Sequence, residues 1–413
     1  MERLKGRMWY FEFSSMNVNS GGNQMKRGSI LAITTFFFVF SVLPSVSFAS
    51  EGKQADLADQ ARSAILMEQD TGTVLYEKNS EEKLPPASMT KIMTMLLIME
   101  ALDTGKIKLT DVVRTSEYAA SMGGSQIFLE EGEEMTVDEM LRGIAIGSAN
   151  DASVAMAEHL AGSEEEFVRL MNEKAKELGL KNTNFQNATG LPAENHYSSA
   201  KDMAIMAQHL LKYDLITKYT GQYESYLREG TDKKFWLVNT NRLVRFYPGV
   251  DGLKTGFTNE AKYCLTATAK KNGMRVISVI FGAPTSKIRN AQITKMFNYA
   301  FSQFETKPIF EKGTAVSEVK IQKGEKSKIN AITNENISIL VKKGDKTDDV
   351  RQEVTFSKIK APIKKGEVVG SVKLYRGDQL IIEKDLIASE DVKPASWWTL
   401  FKRSFSMLTK INK

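Results

Sequence analysis

Apolar positions change rhythm along this chain. Up to about residue 304, period-two runs and helical periods are mixed. "SAILMEQDTGTVLYEKN" has apolar runs on both sides of Asp70-Thr71-Gly72, a turn signal, which predicts a hairpin. "PPASMTKIMTMLLIMEAL" (residues 85–102) is apolar on nearly every side and predicts a buried helix. "TVDEMLRGIAI" and "SEEEFVRLMNEKAKELGL" each open on a capping box, Thr136 with Glu139 and Ser163 with Glu166; the second ends at Gly179. "SAKDMAIMAQHLLKY" is a helix capped by Ser199, with Asp202 in its first turn. "YCLTATAKKNGMRVISVIFGA" gives two strands around Asn272-Gly273, a strong hairpin turn, and "RNAQITKMFNYAFSQF" a helix returning over them.

Strands first and last with helices between predict an α+β fold. One antiparallel sheet is built from both ends of the domain, and a helical lobe fills the middle. Past residue 307 short β-type runs (316–321, 337–341, 368–375, 379–382) alternate with Lys-Gly turns, which predicts a second, all-β domain. The expected divisions are 1–49, an N-terminal extension with a leader; 50–305, the α+β domain; 306–393, the all-β domain; and 394–413, a terminal helix.

The two ends carry the charge. The formal net charge is +6, with +3 in residues 1–49 and +4 in the last nineteen, so the body between is close to neutral. A nucleic-acid-binding protein would place its basic face on the folded body, so that class is not expected. From Met25, Lys26 and Arg27 precede an apolar run at 30–42, and Ser47-Phe48-Ala49 offers small residues for cleavage. This is the pattern of a secretory signal, which implies export to the outer face of the cytoplasmic membrane; an uncleaved anchor is the other reading. Because residues 1–24 precede a complete signal, Met25 is the expected initiator.

At the other end Trp397, Phe401, Phe405, Leu408 and Ile411 form one helical stripe that Lys402, Arg403, Lys410 and Lys413 avoid. Too short and charged to span a bilayer, this helix either lies in the membrane interface or docks on its own protein. The one cysteine, Cys264, excludes an internal disulfide and thiolate metal clusters, and reads as a small buried hydrophobe. No metal or cofactor is expected.

Ser88 and Lys91 are three residues apart, so on a helix they share a face. A serine needs a neighbouring base to become a nucleophile, and a buried lysine can lose its proton to serve as one. Alone, the pair also reads as an ordinary helix start with Ser88 as the cap. Two further segments shift that balance. Ser148-Ala149-Asn150 lies between two helical stretches, and Lys254-Thr255-Gly256 lies on a predicted strand, where the glycine permits close approach of a ligand backbone.

The ordered triple SxxK, SxN, KTG resembles the penicillin-recognising serine enzymes, and within them the low-molecular-mass D-alanyl-D-alanine carboxypeptidases. "NATGLPAENHYSSAKDMA", "NTNRLVRFYPGVDGLKTG" and "APIKKGEVVGSVKLY" are similar to that group, and "ASMGGSQIFLEEGEEMTV" to its sporulation-associated Bacillus member. The resemblance implies a β-lactamase/transpeptidase-like fold. It further implies a peptidoglycan stem peptide ending in D-Ala-D-Ala as substrate and β-lactams as covalent inhibitors. By the same resemblance Ser88 attacks, Lys91 takes its proton, and Ser148 and Asn150 relay protons and hold the substrate amide. Lys254 and Thr255 of the Lys254-Thr255-Gly256 triplet meet the terminal carboxylate, and the N–H groups of Ser88 and Phe257 hold the oxyanion. Many relatives have histidine where Phe257 stands. Arg242 and Arg289 match arginines near that carboxylate; as isolated residues they read equally as surface ion-pair partners. His196 reads as a packing residue.

A class A β-lactamase would need a deacylating carboxylate, and Glu166 is too far from Asn172 to supply that motif. A D,D-endopeptidase acting on cross-links, or a non-catalytic penicillin-binding module, remain alternative readings.

Overall fold

The computed structural model describes residues 56–345 and 349–410, with side chains to Arg403. The leader and Met25 therefore lie outside the described residues.

The predicted sheet is present and fully antiparallel. Its strand order is Val74–Lys78, Ser63–Glu68, Met274–Ala283, Lys262–Lys271, Val250–Thr258. Chain ends meet in its centre, where Ser63 pairs with Phe281. The hairpin at 272–273 turns through two positive φ angles, 51° at Asn272 and 83° at Gly273, which matches the right-handed strand twist. Both faces are buried, and strand alternation decides which core each side chain joins. Ile65, Met67, Ile277, Val279 and Phe281 face the helical lobe. Ala64, Leu66, Val276 and Ile280 face the helix Ser286–Gln303 through Ile293, Met296 and Phe297.

The lobe holds the helices Lys91–Asp103, Asn150–Ala161, Glu164–Glu177 and Ala200–Leu210. The capping box of Thr136 and Glu139 closes in both directions. The one expected at Ser163 closes by half: Ser163 accepts from the Glu166 N–H, but the Glu166 carboxylate turns to Arg169 on the surface. A bidentate guanidinium partner outcompetes a single backbone N–H for that carboxylate. Two hairpins escaped the sequence reading, Val112–Arg114 with Glu134–Thr136 and Glu224–Leu227 with Phe235–Val238. They are too short to show a period.

From Phe304 to Ala388 the chain is all-β. A six-stranded sheet and the pair Phe304–Phe310 with Ile337–Lys342 enclose one core of Val319, Ile329, Val372, Leu374 and Leu386. Strands Lys328–Thr333 and Val350–Phe356 were not predicted; the second is largely exposed and reads as polar. Ser338 donates to Asp70 Oδ2 at 2.6 Å, which ties this part to the first hairpin. In the terminal helix Trp397–Lys410, Trp397 and Trp398 are exposed; Trp397 stacks on Phe401 and Trp398 meets it at a tilt. Arg403 donates to the carbonyls of Gly324 and Glu325. Phe405, Leu408 and Ile411 lie outside the described side chains. No helix among the described residues is long and apolar enough to cross a membrane.

Candidate active site

Ser88 sits in a 3-10 turn, Ala87–Thr90, that leads directly into Lys91–Asp103. The helix expected to begin around it therefore starts one turn later, at Lys91, and no side chain caps that turn. Ala87 immediately before it takes φ 48°, and Ser148 takes φ 64°. Each left-handed non-glycine residue costs about 1–2 kcal/mol, so the fold holds strain at two of the three motifs.

Lys91 is fully buried at the junction of turn, lobe and sheet. Its Nζ donates to Asn150 Oδ1 at 2.6 Å and to the Thr189 carbonyl at 2.7 Å, and lies 3.4 Å from Ser88 Oγ. Burial drives its pKa well below the usual lysine value; the Lys254 cation adds to this and Asp151 opposes it. A neutral amine has two N–H bonds and one lone pair. Two carbonyl-type acceptors take the hydrogens, which leaves the lone pair for the serine hydroxyl. Asp151, also buried, accepts hydrogen bonds from the backbone N–H groups of Ile127, Leu129 and Ala152.

Asn150 is held from both sides. Its Nδ2 donates to Gly123 O and its backbone N–H to Ser125 O, both at 2.7 Å. Gly124 must be glycine here, because a Cβ would lie 2.8 Å from Asn150 Nδ2 at a φ of +83°.

Lys254 and Arg289 are buried without a carboxylate among their described partners. Lys254 Nζ donates to its neighbour's carbonyl, Thr255 O, at 3.0 Å. Burial and then Arg289 push its pKa down to about 7. Arg289 donates to Asn290 Oδ1 through Nε and Nη2, and burial lowers its pKa to about 10. A buried cation without a carboxylate partner attracts an anion. Arg289 lines a cleft of about 350 Å³ together with Ser88, Ser148, Thr255, Gly256, Phe257 and Arg242; Lys91, Asn150 and Lys254 are not part of that lining. Of the two arginines, Arg289 is buried and points to the anion site; Arg242 lies at the exposed rim.

Gly256 is needed for a different close approach than the one expected. A Cβ there would lie 2.8 Å from Pro86 O and 3.1 Å from Ala87 Cβ, so it admits the Ser88 turn against the strand. Phe257 is half-exposed and packs on Tyr263 with ring centroids 4.5 Å apart. His196 does more than pack. Its Nδ1 accepts from Gln186 N–H at 3.0 Å, so its Nε2–H points to Thr90 Oγ1 at 2.8 Å, inside the SxxK motif. Burial holds its pKa down at about 4, so it is neutral. Cys264 is buried as expected, and burial pushes its thiol up to about 12. Glu166 is on the exposed face with Arg169, not in the cleft.

A family model for D-alanyl-D-alanine carboxypeptidase (peptidase S11) matches residues 50–285, and one for the penicillin-binding protein 5 C-terminal domain matches residues 304–394. The chain belongs to the D-alanyl-D-alanine carboxypeptidase family. It is thereby an enzyme of that class with a transpeptidase-like domain and an all-β domain. Among its relatives, the D-alanyl-D-alanine carboxypeptidase DacF of Bacillus subtilis is 61% identical over 92% of this chain and 98% of that protein. DacC of Escherichia coli is 38% identical over 89% and 92%. The crystal structure of penicillin binding protein 5 from Haemophilus influenzae is similar, with 34% identity and a TM-score of 0.62 over 81% of this chain and 98% of that one.

Within this family site, sequence reasoning missed Ser125, Thr189, Gly190, Thr240 and Asn290. Thr240 accepts from the Thr255 hydroxyl at 2.8 Å. Gly190 and its neighbours lie within "NATGL", a signal the sequence offered without saying what it touches.

Proposed function

We propose that this chain is a serine-type carboxypeptidase that removes the terminal D-alanine from peptidoglycan stem pentapeptides, so limiting cross-linking. β-Lactams acylate the same serine. The observation that carries the reading is the surroundings of Lys91: full burial, two acceptors, and the Ser88 hydroxyl in the remaining direction.

Ser88 Oγ attacks the carbonyl joining the two terminal D-alanines as Lys91 takes its proton. The oxyanion forms beside the Ser88 and Phe257 N–H groups. Asn150 holds the substrate amide, and Ser148 passes the proton to the departing amine. Lys254, Thr255 and Arg289, with Arg242 at the rim, bind the terminal carboxylate. Water then hydrolyses the ester. The acyl chain must leave away from the cations. A cavity of about 590 Å³ lined by Pro86, Ala87, Leu191, Asn195, Thr258 and Glu260 continues past the end of the same strand and receives it.

The leader pattern supports export, and the exposed Trp397-Trp398-Phe401 surface supports interfacial attachment of the terminal helix. The likeness of several stretches to the sporulation-associated relative supports action on spore peptidoglycan. Deleting residues 395–413 should release active enzyme from membranes; unchanged association rejects the anchor. Spore wall from a null mutant should gain cross-links; unaltered muropeptides reject the spore role.

The central test incubates purified protein with a pentapeptide and with a cross-linked dimer, and identifies products by mass. Release of D-alanine from the pentapeptide, lost in Ser88→Ala together with penicillin labelling, is the expected result. Cleavage of the dimer alone would make it an endopeptidase, and neither product would overturn the reading.

A further inference from the structure

The carbonyl that takes one hydrogen of Lys91 belongs to a turn with one main organiser and one lesser bond, from Leu191 N–H to Thr189 Oγ1 at 3.3 Å. Asn187 Oδ1 accepts from Thr189 N–H at 3.2 Å, Thr189 Oγ1 at 3.0 Å and Gly190 N–H at 2.7 Å. Its Nδ2 donates to Leu191 O at 3.0 Å. One side chain thus closes the whole 187–191 turn, as asparagine does when its amide mimics a backbone turn. The residue between is pinned independently: Ala188 N–H donates to Glu164 Oε1 at 2.9 Å, and Ala188 O accepts from Thr94 Oγ1 at 2.7 Å.

Two consecutive residues of this turn reach the reacting groups. Thr189 O accepts from Lys91 Nζ. Gly190, at φ +84°, lies so close to the Ser88 turn that a Cβ would stand 1.9 Å from Ala87 O and 2.9 Å from Ser88 N. We propose that Asn187 is a positioning residue for acyl transfer: by closing the 187–191 turn it holds the Thr189 carbonyl on Lys91 and Gly190 against the Ser88 turn. Base and nucleophile are thereby fixed to each other through a segment outside all three motifs. The inference rests on Lys91 acting as the base.

The charged groups facing Lys91 are Lys254 on the strand and Asp151 on the helix after Asn150. Neither touches Asn187, so losing the turn leaves both in place. What changes is the Thr189 acceptor and the exclusion of water. Hydration favours the ammonium form, so the proton leaves Lys91 only at higher pH.

The test is the pH profile of the second-order rate of acylation by a fluorescent penicillin, for full-length wild type, Asn187→Ala, Asn187→Ser and Thr189→Val. Asn187→Ala should move the acid limb up by about one pH unit and lower the neutral-pH rate about tenfold, with its ratio to wild type closing as pH rises. Asn187→Ser, whose hydroxyl closes a similar but weaker turn, should restore most of the limb. Thr189→Val, which loses the two bonds of the Thr189 hydroxyl and keeps the carbonyl, should shift it in the same direction by less. A rate lowered equally at every pH, or no change, overturns the proposal. If Asn187→Ala does not fold, an unmoved limb in Thr189→Val overturns it. Absence of acylation in the wild type would instead sink the reading of Ser88 and Lys91.

Discussion

The two halves of this molecule bury different things. From Asp56 to Gln303 the interior contains Lys91, Lys254, Arg289, Asp151, Glu68 and Asp202 beside its apolar core. In the all-β part the buried polar side chains among the described residues are Thr333 and Ser338, and both are hydroxyls with partners. Each half has a core adequate to hold its strands together, so stability does not require the buried cations. Burying a cation without a carboxylate costs free energy that packing elsewhere must offset. The difference teaches that the first half buries charged groups at a cost its packing must offset, whereas among the described residues the second buries no charged side chain.

Lys91→Met breaks the comparison most sharply. It makes the first interior resemble the second, and acylation by penicillin should fall by about 10²–10⁴-fold. Stopped-flow labelling measures this, and retention of more than a tenth of the rate would show that Lys91 is not the base.

Lys254→Met should lower kcat/KM for pentapeptide about 10²–10³-fold, by leaving the substrate carboxylate without its buried partner. It should also raise thermal stability. The sign follows from linkage: in the folded chain Lys254 titrates at about 7, below its unfolded value. The folded state therefore binds fewer protons than the unfolded state between those values. The penalty is full below about pH 7 and fades as pH rises towards the unfolded value. The variant's gain in Tm should be larger at about pH 6 than at about pH 10, and the reverse order would refute the argument.

The same lysine predicts an alkaline limb. In the free enzyme, kcat/KM should rise as Lys91 loses its proton and fall as Lys254 does, near pH 7. A bound carboxylate favours the ammonium form, so the limb seen in kcat should lie higher. Coincident limbs in the two profiles would show that Lys254 does not meet the substrate anion.

Smaller effects test the second half and the rim. A chain ending at Gln303 should keep kcat/KM within about threefold on soluble pentapeptide, since no cleft residue lies beyond Asn290. A larger loss would mean that the Asp70–Ser338 contact reaches the site. Phe257→His should change acylation by no more than about threefold, because the proposed donor there is a backbone N–H that any residue but proline supplies.

What could be read beforehand follows from which atoms act. Ser88, Lys91, Ser148, Asn150 and Lys254 act through side chains of restricted type, and their spacing stands out in the sequence. Gly123, Ser125 and Thr189 act through carbonyl oxygens, which every residue has, so no residue type marks them. The pairing of strands from both ends was legible because Ser63–Glu68 and Met274–Ala283 are almost wholly buried and carry apolar runs. Strand Val350–Phe356 was not, because it exposes most of its side chains. His196 was legible as buried; its hydrogen bond to Thr90 depends on a fold that brings two distant segments together.

The pairing of Ser63 with Phe281 also bears on time. A ribosome produces the first strand, the Ser88 turn and the whole lobe before the strand that covers them exists. Until Met274–Ala283 arrives, Ser63–Glu68 has a hairpin partner on one side and an open edge on the other. Such long-range closure is slow, because loop entropy is spent before the contact rewards it. Delayed closure also means that the centre around Ser88 and Lys91 cannot come into being before the chain has passed the third motif.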